Sequence, residues 1–329
     1  MMRITMAHGS GGHATSELIS SLFAKAFSNP ILSRMEDSAV VEGSGRIAVT
    51  TDSFVVTPLT FAGGDIGRLS VCGTVNDLLM SGAVPKYLTC GFILEEGADI
   101  GELESIVHSM AQTAKEAGVQ IVAVDTKVVE GNGGLYINTA GVGFVPEGIC
   151  ISSSSCQEGD AVLVSGTLGD HHAAILSARM GIENTISSDC APLGEMVSKM
   201  QQAGIELHAL RDVTRGGLAT VLGEFARASH CCVELEEQAI PVSDQVRGFC
   251  GILGLDPLYM GNEGKLVAVL PQEQAEQALE LIRSSNYGEH AAIIGKISHQ
   301  EADAVLLHTP IGGTRVLGEL YGEGLPRIC

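Results

Sequence analysis

Tryptophan is absent from the 329 residues, and aromatics reach only 4%. Any core this chain builds is therefore filled by Val, Ile, Leu and Ala, which its 45% hydrophobic content supplies. Positive charge is also scarce. Nineteen Lys and Arg stand against 39 Asp and Glu, a formal charge of -20, which repels nucleic-acid phosphates and anionic membranes. No apolar run is long enough to span a bilayer, and after a single arginine the N-terminus turns polar at His8. Neither a transmembrane helix nor a signal peptide is expected, and the cytoplasm is the expected location. The nine cysteines are odd in number and contain no C-x-x-C pair. That count argues against a zinc ribbon and a disulfide framework and suits a reducing compartment. Most of them are expected to pack as small hydrophobes.

The length suits two domains, each with its own core. In the first half, apolar spacing predicts a helix over 15–27, one or two strands over 46–56 interrupted at Thr51-Asp52-Ser53, and a helix over 65–81. A strand over 87–94, a helix over 101–117 and strands over 119–124 and 135–145 follow. This order predicts an α+β layer with its helices on one face. Residues 146–159, with the serine run 152–155, read as a linker. Beyond it come predicted strands at 161–164, 232–235, 265–270, 291–297 and 304–308, with helices at 171–180, 192–203, 214–229 and 273–284. A second, α/β domain is expected. The predicted division is 1–148 for an N-terminal domain, 149–320 for a C-terminal domain and 321–329 for a flexible tail.

Asp37, Asp52, Asp77 and Asp125 are placed by this reading where strands give way to loops, and Asp212 in Arg211-Asp212-Val213-Thr214-Arg215-Gly216-Gly217 makes a fifth. Singly, each suits a helix cap or turn. Together they suit a hard cation such as magnesium, which takes carboxylate, water and phosphate oxygens. The loop His8-Gly9-Ser10-Gly11-Gly12 precedes a helix, and its backbone N–H groups suit an anion, yet it lacks the Lys-Ser/Thr ending of a P-loop. His8 and His13 read as polar loop residues, and His171 with His172 as a helix start after Asp170. The sequence ends on Cys329, preceded by Gly322, Gly324 and Pro326, residues that disfavour helix and suit a movable arm of about 30 Å reach.

These segments in combination resemble the HypE family of hydrogenase maturation proteins. The resemblance is carried by His8-Gly-Ser-Gly-Gly12, Glu36-Asp37, Thr51-Asp52-Ser53, Asn76-Asp77 with Ser81-Gly82-Ala83, Phe92-Ile-Leu-Glu-Glu96 and Asp125-Thr-Lys-Val128. It continues through Ser165-Gly-Thr-Leu-Gly-Asp170, Arg211–Gly217, Asn262-Glu-Gly-Lys265 and the terminal Pro326-Arg-Ile-Cys329. The last motif sets it apart from the related aminoimidazole ribonucleotide synthetase, formylglycinamide ribonucleotide amidotransferase, selenophosphate synthetase and thiamine monophosphate kinase.

The resemblance implies a two-domain PurM-like fold and a homodimer whose N-terminal sheets pair into a barrel. It implies ATP and magnesium near the junctions, with Asp37, Asp52, Asn76, Asp77, Asp125 and Thr126 on the nucleotide and Asp37, Asp52, Asp77 and Asp212 on the metal. It implies that Cys329 is carbamoylated by the partner HypF, that the carbamoyl group is dehydrated to a thiocyanate, and that the cyano group passes to iron on the HypC–HypD scaffold. Dehydration requires the carbamoyl oxygen to become a good leaving group, which phosphoryl transfer from ATP achieves. A carboxylate base then removes the N–H protons. Glu263, in the family's Asn262–Lys265 motif, takes that role, and Lys127 is the cation expected near the transferred oxygen. Two other classes stay open. One is another ATP enzyme of the superfamily such as selenophosphate synthetase, although its reactive residue lies near the N-terminus and the first cysteine here is Cys72. The other is a non-catalytic thiol carrier, which needs no nucleotide.

Overall fold

The computed structural model describes residues 3–5, 8, 17–34, 41, 43 and 45–318. Asp37, the Gly9–Gly12 loop, His13 and the tail with Cys329 lie outside the described residues.

Near the start, a π-helical stretch Ile19–Phe23 runs into a helical turn Ala24–Ala26. Strand β1 (Arg46–Phe54), a short hairpin of β2 (Thr60–Phe61) and β3 (Gly64–Asp65), and helix α1 (Ile66–Met80) follow. Strand β4 (Val84–Glu95), helix α2 (Ile100–Glu116), β5 (Gln120–Val129) and β6 (Leu135–Val145) complete the first half. The long strands form a four-stranded sheet in the order β1-β6-β4-β5. β4 and β5 run parallel, so the chain must cross over between them, and α2 is that crossover.

Two expected boundaries are corrected here. β1 is not interrupted at Thr51-Asp52-Ser53, because these residues pair with Ala140, Thr139 and Asn138 of β6, and the Asn138 amide donates to the Asp52 carbonyl at 2.8 Å. β5 does not stop at Val124, because its parallel ladder with β4 continues through Asp125, Thr126 and Lys127 opposite Gly91, Phe92 and Ile93. The aspartates accordingly do not all sit at strand ends. Asp52 and Asp125 are within strands and Asp77 is inside α1.

α1 is almost wholly buried, with apolar residues all round it and its polar side chains among them. Asp65 caps it by accepting from Arg68 N at 2.8 Å. It lies close on α2, and a Cβ at Gly67 would stand 2.4 Å from the Ile106 carbonyl oxygen. Both helices cover one face of the sheet. Along β1, Ala48, Thr50 and Asp52 turn half-buried toward α1, while Ile47, Val49, Thr51 and Ser53 are exposed on the other face.

Residues 146–160 contain no helix or strand. Past them run β7 (Ala161–Val164), α3 (Asp170–Met180), α4 (Gly194–Gln202), β8 (Ala209–Asp212), α5 (Gly217–Ser229), β9 (Cys232–Glu236), α6 (Asp244–Leu253), β10 (Leu266–Leu270), α7 (Ala275–Arg283), β11 (Ala292–Ser298), β12 (Ala304–His308) and β13 (Thr314–Val316). Their strands make a seven-stranded sheet ordered β13-β12-β9-β11-β7-β10-β8. Sequence spacing missed β8, β13 and α6. Gly248 and Gly251 weaken the helical signal of α6, which the Ser243 cap on Val246 N starts nonetheless.

The central strands β7 and β10 of the seven-stranded sheet are buried on both faces. From β7 and β10, Leu163, Leu266, Ala268 and Leu270 join an apolar cluster that also holds Leu69, Phe92 and Ile106 of the first half. Val162, Val164, Val267 and Val269 point into a second cluster with Phe225, Val233 and Leu307. One continuous apolar core therefore spans both sheets, with α1 inside it.

Candidate active site

The predicted carboxylates gather where α1 meets the second sheet. On β1, Thr50 and Asp52 face α1, and the Thr50 hydroxyl donates to Asp77 Oδ2 at 2.8 Å. Asp212 ends β8 beside β10, opposite Leu266, which places it next to the Asn262–Lys265 turn. Burial raises the proton affinity of each of these acids. It pushes the Asp77 and Asp52 carboxyls above their ordinary value, Asp52 with help from the Asp77 charge. Asp212 is pushed up to about 7 by burial and by the charges of Asp77 and Asp52, against the pull of Arg211. Glu263 is raised well above the ordinary carboxylate range by burial first and then by Asp212, Asp189 and Asp52.

Such a cluster of hard oxygen donors, each resisting ionisation chiefly because it is buried, suits a divalent cation. In the chain alone, no three His, Cys, Asp or Glu side chains among the described residues stand close enough to enclose an ion. The residue types and their shared locus fit magnesium.

Asn76 also lies here, but its amide is committed on both sides. Nδ2 donates to the Ala191 carbonyl at 3.0 Å, and Oδ1 accepts from Leu193 N at 3.0 Å. Two turns earlier on α1, Arg68 Nε donates to the Cys190 carbonyl at 2.8 Å. The pair clasps α1 to residues 190–193, so Asn76 holds the junction together.

Asp125, Thr126 and Lys127 do not join this cluster within one chain. Asp125 and Lys127 form an exposed ion pair at 3.0 Å. They stand on the face that carries Ile93, which is 43% exposed, and the sheet separates them from Glu263. Thr126 turns to the helix side, where its hydroxyl is buried without a hydrogen-bond partner among the described residues. The expected proximity of Lys127 to Glu263 is thus corrected for the single chain. The strand's alternation, extended past Val124, turns Lys127 to the open face, away from the helix side on which the carboxyl cluster lies.

A cleft of about 590 Å³ opens beside the carboxyl cluster, lined by Arg68, Thr167, Asp170, Ser188, Asp189 and Lys265 among others. Sequence reasoning gave no role to Asp189 or Lys265. Lys265 belongs to a motif already noted, whereas Asp189 lies in an irregular segment without periodicity to mark it. Of the histidines, His171 is buried with Nδ1 at 2.7 Å from Ser188 Oγ, and burial pushes His172 down to about 4. Both serve the packing of α3.

Residues 35–145 match the N-terminal domain of AIR synthase related proteins, and residues 157–308 match the corresponding C-terminal domain. The carbamoyl dehydratase HypE of Azotobacter vinelandii is 50% identical over 331 residues, covering 99% of this chain and 97% of the relative. Among solved structures, the hydrogenase maturation protein HypE in complex with ATP aligns with a TM-score of 0.95 at 47% identity, covering 98% of this chain and 99% of that one. A HypE–HypF complex aligns with a TM-score of 0.81 at 45% identity, over 92% and 99% of the two chains. With the two domains, the carboxyl cluster and the full-length match in agreement, the chain belongs to the HypE family of hydrogenase maturation proteins.

Proposed function

We propose that this chain is an ATP-dependent carbamoyl dehydratase that converts an S-carbamoyl group on its own Cys329 to a thiocyanate, the source of a cyanide ligand for a [NiFe] centre. The supporting observation is the cluster of Asp52, Asp77 and Asp212 against buried Glu263 at the domain junction. The balance is S–C(=O)–NH₂ plus ATP giving S–C≡N, ADP and phosphate. The carbamoyl oxygen leaves with the phosphate, and two N–H protons are removed. Asp52, Asp77 and Asp212, with Asp37, would hold magnesium, which would neutralise charge on the phosphates. The Glu263 carboxyl is held by burial well above its ordinary range in the chain alone. It becomes the base as the negative charge around it is neutralised, which sets proton removal after nucleotide binding.

The open face of the first sheet supports a homodimer. Val49 is 70% and Ile47 57% exposed there, an apolar surface that a soluble chain covers by pairing. In a dimer paired through this face, Asp125 and Lys127 lie in the interface. Carbamoyl transfer from HypF and cyano delivery to HypC–HypD complete the sequence of partners. No described helix is long and apolar enough to cross a membrane, and we place the reaction in the cytoplasm. We assign 1–148 to the nucleotide-binding, dimerising domain, 149–320 to the second domain and 321–329 to the substrate tail.

The test is the mass of the C-terminal peptide after incubation with the carbamoyltransferase, carbamoyl phosphate and ATP. A carbamoyl adduct that loses one water only when ATP is present is the expected result, and Cys329→Ala should carry neither species. An adduct on another cysteine, or conversion without ATP, overturns the reading.

A further inference from the structure

Asp189 touches three consecutive residues of the turn that carries Glu263. Its Oδ1 accepts from Glu263 N at 3.1 Å, and its Oδ2 lies 3.2 Å from Lys265 Nζ. Its carbonyl presses on Gly264 so closely that a Cβ there would stand 1.8 Å from the oxygen. Ala191 N, two residues on, donates to the Glu263 carbonyl at 3.4 Å. The side chains of Asp189 and Lys265 are 4% and 8% exposed at the bottom of the cleft. Residues 187–193 form neither helix nor strand, so Asp189 is no helix cap. The same segment is gripped from the other side by Arg68 and Asn76 of α1.

A buried ion pair of this kind adds little net stability compared with apolar side chains of the same volume. Its cost is accounted for by what it holds in place. We propose that Asp189 is the positioning residue of Glu263, with Lys265 as the counter-charge that keeps the Asp189 carboxylate aimed at the Glu263 backbone. The inference rests on Glu263 being the base of the proposed dehydration. It adds that the base is placed by the second domain's 187–193 segment, itself clasped to α1, so that both domains must be in register for the base to be in position.

The test is a double-variant cycle in the full-length chain, read by the water-loss step on the C-terminal peptide with the carbamoyltransferase, carbamoyl phosphate and ATP. An amide at 189 satisfies only one neighbour, because whichever way it lies its NH₂ meets either the Glu263 N–H or the Lys265 ammonium. Asp189→Asn is therefore expected to slow conversion roughly 10- to 100-fold, with half-saturation by ATP unchanged within about two-fold. Lys265→Met, which strands a buried carboxylate, should slow it similarly. Combining the two frees the amide oxygen for Glu263, and the double variant should convert faster than either single one.

A merely structural pair would move ATP binding and thermal stability together with the rate, in the loss and in the recovery alike, whereas positioning moves the rate with ATP half-saturation held. Asp189→Asn with the wild-type rate overturns the inference, as does a double variant no better than the singles, since Lys265 would then have its own contact with the substrate. If either single variant fails to fold, the folded double variant decides. A double variant that folds and converts within about ten-fold of wild type supports the inference, and one that folds but is inactive, or does not fold, overturns it. A wild-type chain that forms no thiocyanate overturns the proposed function and this inference with it, whereas active wild type with equally active variants overturns this inference alone.

Discussion

The two sheets of this chain solve opposite problems with the same residues. Val and Leu in β7 and β10 are enclosed on both faces, whereas Val and Ile in β1 and β4 face outward on a sheet whose other side is covered by α1 and α2. A strand closed on both faces has only packing to satisfy, and nothing in it reaches a ligand. A strand closed on one face is free to place chemistry on each side separately, and β1 and β5 do so. Asp52 turns inward to the carboxyl cluster, and Lys127 turns outward to the open face.

The sharpest break in that contrast comes from a buried carboxylate that belongs to the enclosed half and serves the open one. Glu263→Gln should keep the fold, bind ATP and accept the carbamoyl group on Cys329, yet slow thiocyanate formation by roughly 10²–10⁴-fold, the usual loss for a missing general base. Peptide mass spectrometry would show the carbamoyl form accumulating. Normal conversion would move the role elsewhere.

Next in size is a matched pair of apolar substitutions. Leu163→Ala in the enclosed sheet should cost about 2–5 kcal/mol of stability by chemical denaturation. Val49→Asp on the open face should leave the folded chain's far-UV spectrum unchanged and convert dimer to monomer by light scattering. Mixing Lys127→Met and Glu263→Gln chains, each inactive by itself, should restore part of the activity if the partner's open face completes the site. No recovery would confine the site to one chain and remove Lys127 from it.

The smallest expected effect is on pH. Asp212, at about 7 in the folded chain, keeps a proton that the unfolded chain gives up near its ordinary value of about 3.9. The folded state therefore binds more protons between about pH 4 and 7, and stability falls as pH rises through that window. In chelator, the thermal midpoint should drop by a few degrees from pH 5 to pH 8, and Asp212→Asn should flatten the slope. Magnesium added at pH 8 should recover part of the loss. A midpoint that rises with pH would refute the raised carboxyl.

Helix and strand periodicity located α1, α2, β4, β6 and five of the seven strands of the second sheet, because long apolar stretches leave a clear spacing. What it misjudged was polar residues inside regular elements. Thr51-Asp52-Ser53 looks like a break until the ladder to Asn138 is seen, and Asp125-Thr126-Lys127 looks like a loop until Gly91 and Ile93 are found opposite. The motif around Glu263 was legible by family resemblance. Asp189 was not, because its role depends on contacts with a segment more than seventy positions away. The separation of Lys127 from Glu263 was equally hidden, since the face a strand residue takes is set by its register with the neighbouring strand.

α1 belongs to neither half. It is clasped at Arg68 and Asn76 to the segment before α4, pressed at Gly67 on α2, and sealed in a core that the later sheet helps to close. A chain cut within 146–160 would yield fragments with one keystone between them, each exposing the socket the other fills. The covalent boundary between the domains is therefore not the boundary of cooperativity, and the two halves are expected to melt in a single transition.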